Sequence, residues 1–593
     1  MDMAHGKRVV SPRWTEQVPM RDGVRLATEV WLPREEGRFP TLIHRTPYDR
    51  RLLINFSEPL TPSIFRLLDA GYAVIHQDLR GTGDSEGEFV PSLNDRTDGP
   101  DTIDWVTRQD WSDGSTGMFG SSFDGFVQWD AAYEGAEGLR AIAPVTSSAD
   151  RYKGGWYSAG GGFSLNTAHM WTAAQTAALV ARSLTSAPDA ERPALEARVE
   201  NLVSEVAEPK ESLESMPWRD APAFQESPWW AAWADHPARD DYWQNHGAAD
   251  RIDQIQVPAL IITGWYDLFC NVDLGAFQRL RESGASEDVR GGSRLVVGPW
   301  HHGYTEGRYP DRSFTHRGDA SMMDLSTTFV AFYDRWLREK KDSLDGVAPV
   351  KLFVMGINEW RDELSWPLPD TKYVDYFLSS TSGARSVNGD GKLSSADPAA
   401  DGIDMFVCDP QDPVLTRGGR SLFHSGEYQP TGPANQAEIE QRGDVLCYST
   451  SPLDDPIEVT GAVEIRLHVQ TSARDTDFHA KLVDVYPDGR AILLTEGMLR
   501  LRYRDSLESP SLATPGETYE ITVEVGCTSN VFLPGHQIRV EIAGSNFPRY
   551  DRNTNTGGHI AAESAAEAIV ADNSVLHGPS HPSRLVLPII DRQ

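Results

Sequence analysis

The chain has 593 residues, of which 39% are hydrophobic and 24% are charged. This length exceeds what one core organises and predicts two to four domains, and the composition is that of a folded protein rather than a disordered or fibrous one. The formal net charge of −32 at pH 7 repels phosphate backbones and anionic surfaces, so we expect neither nucleic acid nor a membrane as a partner.

Residues 1–20 contain no apolar run long enough for the core of a signal peptide, and no later segment has the roughly 20 apolar residues of a membrane span. We therefore expect a cytoplasmic location. The chain has four cysteines, far apart and without a CxxC pair: Cys270, Cys408, Cys447 and Cys527. Their spacing argues against a disulfide framework and a thiolate zinc site, and it predicts reduced core residues.

The first third of the chain alternates short apolar runs with turn and helix signals. Residues 41–44, 72–78, 117–120 and 141–145 have the pattern of strands buried on both faces. Between the second and third of these, residues 101–110 carry apolar side chains at helical spacing. Strands that alternate with helices predict βαβ units and a parallel sheet.

Residues 151–250 change to Ala- and Glu-rich helical patterns, which predict a helical insertion into the sheet domain. The buried-strand pattern returns at 258–267 and 293–300, and an amphipathic helix follows at 321–340. Seven tryptophans lie in the insertion: Trp156, Trp171, Trp218, Trp229, Trp230, Trp233 and Trp243. They suit an apolar substrate group, although most tryptophans simply pack in cores.

From about residue 346 the apolar side chains alternate with period two, as in 462–470, 518–525 and 536–544. Many such strands with turns between them predict a β-sandwich. The segment 380–405 is rich in Ser, Gly, Asp and Ala and predicts a surface loop. Its "NGDGK" resembles the start of a calcium loop, but no glutamate stands at the closing position, which favours a plain turn.

The stretch "GMFGSSFDGF" (117–126) places two serines between glycines at the end of a predicted strand. A strand that enters a tight turn and then a helix lifts the residue at the apex above the sheet, which is the geometry of a nucleophile elbow. Counting from Gly120, Ser122 occupies the nucleophile position of G-x-S-x-G. Gly125 comes one residue later than that spacing, and Gly-Ser turns are common, so the motif alone does not establish catalysis.

A serine nucleophile needs a base to take its proton and a carboxylate to orient that base. In this arrangement the acid and then the histidine follow the serine, each in a loop after a later strand. Asp267 ends one predicted strand and His302 follows the next, so both fit. Each has a structural alternative, as a turn aspartate or a packed histidine. Asp273 and His301 are the nearest competitors, ranked lower because Asp273 falls inside the apparent helix and His301 abuts the strand.

A tetrahedral intermediate also needs hydrogen-bond donors for its oxyanion. The backbone N–H of Phe123, the residue after the nucleophile, is the first candidate. The second donor should come from a loop after an early strand, and "HRTPYDR" (44–50) is such a loop. Tyr48 could supply its hydroxyl there, although a tyrosine in a turn is more often structural.

The glycines of "RGTGDSEG" (80–87) raise the alternative of a dinucleotide-binding turn. The motif G-x-G-x-x-G requires a third glycine at the position that Glu86 occupies. The spacing therefore favours a turn near the active site over a dinucleotide site.

With these residues assembled, the chain resembles the cocaine-esterase-like and X-Pro dipeptidyl-peptidase family of serine hydrolases, nearly from end to end. The resemblance rests on "PMRDGVRLATEVWLP", "RTPYDR", "QDLRGTGDSEGEF", "DGPDTIDWVTRQDWSDGSTGMFGSSFDG", "ITGWYD", "GPWHH" and "SNVFLPGHQIRVEIAGSNFPRYDRNTNTGG". So many motifs in the same order make the resemblance specific.

In that family the elbow is G-x-S-Y-x-G, which accounts for the extra residue before the second glycine. The resemblance implies Ser122 as nucleophile, Asp267 as acid and His302 as base, with an oxyanion hole formed by Tyr48 and the amide of Phe123. The sequence departs from the pattern at two positions. Phe123 replaces the usual tyrosine, which keeps the amide but removes a hydroxyl. His301 fills a commonly small position, which leaves some ambiguity in the base.

The resemblance also implies an α/β-hydrolase domain in two parts, residues 1–150 and 251–345, with a helical cap at 151–250 between them. A C-terminal jelly roll over 346–593 completes the implied architecture, in agreement with the residue patterns. The implied activity is hydrolysis of a small-molecule carboxylic ester or amide through an acyl-serine intermediate, without a metal or an organic cofactor.

Two alternatives remain beside an esterase or acylase, which we favour. An X-Pro dipeptidyl aminopeptidase would hold the ammonium group of its substrate with carboxylates of the cap, which contains many Asp and Glu residues. In the second alternative the chain is a catalytically inert binding protein that uses its β-sandwich for a carbohydrate or a partner protein. The sequence leaves the oligomeric state open, and a homo-oligomer is compatible with it.

Overall fold

The computed structural model of the protein describes residues 11–52, 59–422 and 430–592. Residues 1–10, part of the segment examined for a signal peptide, lie outside the described residues. The first sheet has ten strands in the order β1-β2-β4-β3-β5-β6-β7-β8-β9-β10. Their bounds are β1 Arg13–Pro19, β2 Arg25–Trp31, β3 Phe39–Thr46, β4 Ala73–Asp78, β5 Ser112–Ser121, β6 Leu139–Val145, β7 Leu260–Tyr266, β8 Arg294–His301, β9 Val350–Val354 and β10 Glu359–Glu363.

The centre of this sheet is parallel, from β4 through β3 to β9, and its two ends are antiparallel. Every residue of β3, β4 and β7 is buried, as expected for strands covered on both faces. Each of the six strands predicted before residue 301 corresponds to one strand from β3 to β8, with bounds that differ by a few residues. The sequence analysis did not identify β1 and β2, the antiparallel pair at one end.

The described helices are α1 Ile64–Asp69, α2 Asp95–Thr107, α3 Phe123–Tyr133, α4 Leu165–Leu184, α5 Arg192–Ala207, α6 Lys210–Glu214, α7 Pro228–Asp235, α8 Asp241–Gln244, α9 Cys270–Ser283, α10 Glu287–Gly292 and α11 Leu325–Leu337. The helix predicted at 101–110 starts earlier, at Asp95. The prediction missed its first turns because α2 contains Pro100, and proline is unusual in a helix interior. The helix predicted at 321–340 is α11, which starts later than expected, after a 3-10 turn at Ala320–Met322.

Helices α4 to α8 lie between β6 and β7 in the chain, where the sequence pattern indicated a helical insertion. Arg182 of α4 fastens this helical region to the loop that follows β4. Its guanidinium donates hydrogen bonds to the carbonyls of Gly83 at 2.8 Å, Gly81 at 3.1 Å and Ser85 at 2.5 Å. The glycine-rich segment 80–87 is thus a turn held beneath the helical region.

The second sheet is mainly antiparallel and follows the order β13-β20-β15-β21-β11-β12-β14-β19-β16-β17, with β18 paired to β15. Its strands are β11 Thr371–Ser379, β12 Lys392–Ser394, β13 Gly402–Cys408, β14 Val445–Ser449, β15 Ile457–Thr471, β16 Asp477–Val485, β17 Ala491–Arg500, β18 Tyr519–Phe532, β19 Gln537–Ala543, β20 Ala571–His577 and β21 Arg584–Ile590. The predicted fold class, an α/β-hydrolase domain followed by a C-terminal β domain, is confirmed.

The prediction of a surface loop over 380–405 is partly wrong, because the segment contains β12 and the first residues of β13. Strand β12 has only three residues, and the polar composition of the segment hid it. Within the segment, the carboxylate of Asp390 accepts hydrogen bonds from the backbone N–H groups of Thr381, Ser382 and Gly383. In the described part of the chain, no group of three or more His, Cys, Asp or Glu side chains is arranged to hold a metal ion.

Strands β9 and β10 follow residue 345 but pair with the first sheet, through β8. Met355 directly follows β9. Its N–H donates to the carbonyl of Ser529 at 3.0 Å, and its carbonyl accepts the N–H of Val531 at 2.9 Å, both in β18. The hairpin therefore joins both sheets. The four cysteines are free and buried, as predicted, and none of the described helices is long and apolar enough to cross a membrane.

Candidate active site

Ser122 lies at the sharp turn between β5 and α3. Its backbone has φ of 57° and ψ of −124°, a conformation that residues other than glycine rarely adopt. The backbone N–H of Ser122 donates to the carbonyls of Val145 at 2.9 Å and Thr146 at 3.2 Å, at the end of the adjacent strand β6. These bonds hold the strained turn at the carboxyl edge of the sheet, with the serine at its apex.

The two glycines of the elbow are required by close packing. A Cβ atom on Gly120 would lie 2.6 Å from Cβ of Asp124, and one on Gly125 would lie 2.3 Å from Oγ of Ser147. Gly120 also has φ of 144°, which disfavours other residues. The additional residue before Gly125 therefore leaves both small positions in place.

The loops after β7 and β8 bring an aspartate and a histidine to Ser122. Nε2 of His302 lies 3.1 Å from Oγ of Ser122, and Nδ1 lies 2.7 Å from Oδ2 of Asp267. Asp267 is fully buried, and its other oxygen accepts the backbone N–H of Phe269 at 2.8 Å. With its Nδ1 proton directed at the carboxylate, the imidazole presents Nε2 as an acceptor for the serine proton.

The two competing residues have other environments. Asp273 lies in α9, fully buried, where Oδ2 accepts the backbone N–H of Ser147 at 3.4 Å. Burial, followed by the charge of Asp267, raises the pKa of Asp273 well above its usual range. His301 is buried at the end of β8, and its Nδ1 accepts the N–H of Gly303 at 3.3 Å.

The side chains of the two residues predicted to supply oxyanion donors, Tyr48 and Phe123, both contact one tryptophan of the helical region. Nε1 of Trp171, in α4, donates a hydrogen bond of 3.0 Å to the phenol oxygen of Tyr48. The same indole stacks on the ring of Phe123, with centroids 5.7 Å apart and planes 9° from parallel. Phe123 is the first residue of α3, so its backbone N–H lies at a helix N-terminus, where donors are available for an anion.

A cavity of about 530 Å³ opens at Ser122. The lining combines residues after β3, the elbow and the helical region: His44, Thr46, Tyr48, Asp49, Leu52, Thr61, Phe119, Ser121, Ser122, Asp124, Thr146, Met170, Trp171, Ala174, Val206, His302, Gly303 and Leu422. Of the seven tryptophans of the helical region, Trp171 belongs to this described lining. All seven are buried, so core packing accounts for the other six.

The sequence analysis missed a buried hydrogen-bonded contact between a histidine and an aspartate in the cavity wall. Nε2 of His44, in β3, lies 2.9 Å from Oδ2 of Asp124, in α3. Burial raises the pKa of Asp124, and the contact with His44 opposes that shift. Both residues stand inside quoted motifs, "HRTPYDR" and "GSSFDG", but 80 positions apart, so their contact could not be inferred from spacing.

Comparison with known proteins supports the family resemblance over nearly the whole chain. Residues 22–304 match the model of the X-Pro dipeptidyl-peptidase (S15) family, and residues 344–586 match that of the X-Pro dipeptidyl-peptidase C-terminal non-catalytic domain. The chain is 45% identical to the cocaine esterase of Rhodococcus sp. strain MB1 Bresler over 577 residues, which cover 97% of this chain and 98% of the relative.

Two solved structures share the fold over nearly their full lengths. An α-amino acid ester hydrolase superposes with a TM-score of 0.79 at 24% identity, covering 99% of both chains. An aminopeptidase from a marine sediment archaeon, Thaumarchaeota archaeon, gives a TM-score of 0.79 at 24% identity and covers 100% of this chain and 99% of that chain. The resemblance found in the motifs is thereby confirmed: the chain belongs to the cocaine-esterase-like, X-Pro dipeptidyl-peptidase (S15) family and is a serine hydrolase.

Proposed function

We propose that Ser122 is the nucleophile that attacks the carbonyl carbon of an ester and forms the acyl-enzyme. His302 takes the serine proton through Nε2 and returns it to the leaving alcohol, and Asp267 holds the imidazole in the required tautomer. Water then attacks the acyl-enzyme: His302 takes a proton from the water and returns it to Oγ of Ser122 as the carboxylic acid leaves. One observation carries this proposal: a single imidazole lies 3.1 Å from the serine oxygen and 2.7 Å from a buried carboxylate.

The oxyanion of each tetrahedral intermediate would be stabilised by the backbone N–H of Phe123 and the hydroxyl of Tyr48. Tyr48 lines the cavity beside Ser122, and Trp171 positions its phenol oxygen through a hydrogen bond. The backbone N–H of Phe123 directly follows the nucleophile at the start of α3. A donor that is already held in place costs little reorganisation when negative charge develops.

Esters, rather than X-Pro peptides, are the proposed substrates. The 45% identical relative is named a cocaine esterase. The helical region contributes Met170, Trp171, Ala174 and Val206 to the described cavity lining, and none of these is a carboxylate that could hold a substrate ammonium. Apolar and aromatic acyl groups fit such a wall.

A fluorophosphonate probe tests the nucleophile directly. We expect one covalent adduct, located on Ser122 by peptide mass spectrometry, in the wild type and in Ser121→Ala. Ser122→Ala should take up no label. Ser121 is a matched control because it is the neighbouring serine and also lines the cavity. An adduct on another residue would contradict the assignment of Ser122. A wild type that takes up no label would favour the binding-protein alternative.

The substrate class is tested by comparing p-nitrophenyl benzoate with dipeptidyl-proline p-nitroanilides under the same conditions. We expect kcat/KM to be at least a hundredfold higher for the ester. Higher activity on the anilides would establish the peptidase alternative.

The domain boundaries at 150, 250 and 345, the cytoplasmic location and the absence of a nucleic-acid partner remain proposals. Free, buried cysteines support the location, and the net charge of −32 supports the exclusion of nucleic acid. Cell fractionation tests the location, and light scattering distinguishes a monomer from a homo-oligomer.

A further inference from the structure

The wall of the cavity at Ser122 contains a polar pair within otherwise apolar surroundings. The pair consists of His44 and Asp124, which are 1% and 6% exposed and lie 2.9 Å apart through Nε2 and Oδ2. Phe119, Met170 and Trp171 line the same cavity. A buried polar group in such surroundings costs free energy unless its hydrogen-bonding capacity is used.

That capacity is not used up within the protein. Oδ1 of Asp124 has no partner at hydrogen-bond distance among the described residues, and neither has Nδ1 of His44. The hydroxyl of Thr46, which also lines the cavity, interacts with the carboxyl of Asp124 and, like His44, opposes the rise of its pKa. Asp124 can accept a further hydrogen bond in either protonation state, because a carboxylic acid keeps a carbonyl oxygen.

The pair lies directly beneath the elbow. A Cβ atom on Gly120 would lie 2.6 Å from Cβ of Asp124 and 3.1 Å from Cδ2 of His44. Ser122 follows two residues later and lines the same cavity as His44 and Asp124, so a substrate bound at Ser122 shares this cavity with the pair. The hydrogen bonds described for the pair do not include Ser122, whose oxygen contacts His302. Proton transfer in the proposed mechanism therefore does not need it.

Stability does not explain the pair either. A buried ionic or polar pair is often no more stabilising than apolar side chains of similar volume. With proton transfer and stability set aside, substrate binding is the role of the His44–Asp124 pair that we consider.

We propose that Asp124, held in place by His44, forms a hydrogen-bond acceptor subsite that selects ester substrates carrying a hydroxyl group close to the scissile carbonyl. The inference rests on the proposed function, because it requires the substrate to bind at Ser122. The hydroxyl proton would be donated to the carboxyl of Asp124, while the remainder of the substrate contacts the apolar wall. A site built to bond a hydroxyl disfavours an analogue that lacks it, since the buried acceptor is then left unpaired.

Matched esters that exchange a hydroxyl for a methyl group test this subsite. The first pair is p-nitrophenyl 3-hydroxybutanoate and 3-methylbutanoate, and the second is p-nitrophenyl 2-hydroxypropanoate and 2-methylpropanoate. A third pair, 3-hydroxybutyl and 3-methylbutyl acetate, places the difference in the alcohol. We expect the wild type to prefer the hydroxylated ester in at least one pair, by about ten- to a hundredfold in kcat/KM, as a strong hydrogen bond predicts. This measurement does not depend on the folding of any variant.

The double variant His44→Leu/Asp124→Leu replaces the pair by apolar side chains. We expect it to lose the hydroxyl preference, measured as the ratio of kcat/KM between the two esters of a pair, so the test does not depend on the overall rate of the variant. Met170→Leu is the matched control: it changes the same cavity without a polar group, so it should alter both esters of a pair alike. A purely structural role of the pair would likewise change both esters by one factor.

No hydroxyl preference in the wild type in any of the three pairs would overturn the subsite. So would a preference that persists in the double variant. Fluorophosphonate labelling separates this outcome from a failure of the proposed function. An enzyme labelled at Ser122 without the preference loses the subsite alone, whereas an unlabelled Ser122 removes the nucleophile and the subsite together.

Discussion

The indole nitrogen of Trp171 donates a hydrogen bond of 3.0 Å to the phenol oxygen of Tyr48. Trp171 belongs to α4 of the helical region, whereas Tyr48 follows β3 of the first sheet. The helical region therefore does more than cover the cavity, because it fixes the position of a group that we assign to the oxyanion hole.

Replacing Tyr48 with Phe should lower kcat by about a hundred- to a thousandfold with little change in KM, because an oxyanion donor acts in the transition state. Steady-state kinetics on p-nitrophenyl benzoate measures both constants. Trp171→Phe keeps an aromatic ring against Phe123 but removes the indole donor, and it should cause a smaller loss of kcat. A negligible effect of Tyr48→Phe would remove this residue from the oxyanion hole.

Ser122→Ala should reduce kcat by roughly a millionfold if the three side chains act as a unit. Ser121→Ala is the adjacent control, and its kcat should stay within about tenfold of the wild type. Ser121 also lines the cavity, but the hydrogen bond to Nε2 of His302 is made by Ser122. Comparable activity in Ser122→Ala would refute the assigned nucleophile.

Asp267→Asn should lower kcat by about ten-thousandfold, because an amide in place of the carboxylate stabilises the wrong tautomer of the histidine. Asp273→Asn provides the control. Burial raises the pKa of Asp273 well above its usual range, so the neutral amide resembles the state that this side chain already favours. We expect activity within about tenfold of the wild type. A larger loss of kcat in Asp273→Asn than in Asp267→Asn would identify Asp273, instead of Asp267, as the acid of the triad.

The stability of the protein should depend on pH through Asp95 in α2. Burial raises the pKa of Asp95 to about 7, and the nearby charge of Arg45 opposes that shift. Because the pKa in the folded state is above the unfolded value of roughly 4, the folded protein binds more protons in this interval. The contribution of Asp95 to stability is therefore fully present below about pH 4 and falls as the pH rises towards 7.

Asp95→Asn cannot ionise and should remove this dependence. Thermal unfolding of the wild type and the variant between pH 5 and 8 measures it, since all other groups titrate in both proteins. We expect the Tm of the wild type to fall relative to that of Asp95→Asn as the pH rises. A constant difference over this interval would show that Asp95 does not titrate there.

The predicted strands before residue 301 and the order of Ser122, Asp267 and His302 could be obtained from sequence because each leaves a local signal. Buried parallel strands are continuous apolar runs, and a nucleophile elbow needs small residues on both sides of the serine. An acid and a base placed directly after successive strands must then meet at one edge of the sheet.

Other features depend on contacts between distant segments and leave no such signal. His44 and Asp124 meet because β3 lies beside β5, which leads into α3, and neither residue differs locally from an ordinary polar residue in its motif. The role of Trp171 was likewise hidden among seven tryptophans, of which six pack without lining the cavity. The strands β9 and β10 resembled the β-rich segment that follows them, although they pair with the first sheet.

The hairpin of β9 and β10 has a practical consequence for dissecting the protein. A catalytic fragment that stops at residue 345 would lack both strands and leave β8 as an open edge, which invites aggregation. Extending the fragment through Glu363 would cover that edge but would leave the backbone of Met355 without its partners in β18. Neither truncation isolates a self-sufficient enzyme, so the two halves of the polypeptide are best produced as one.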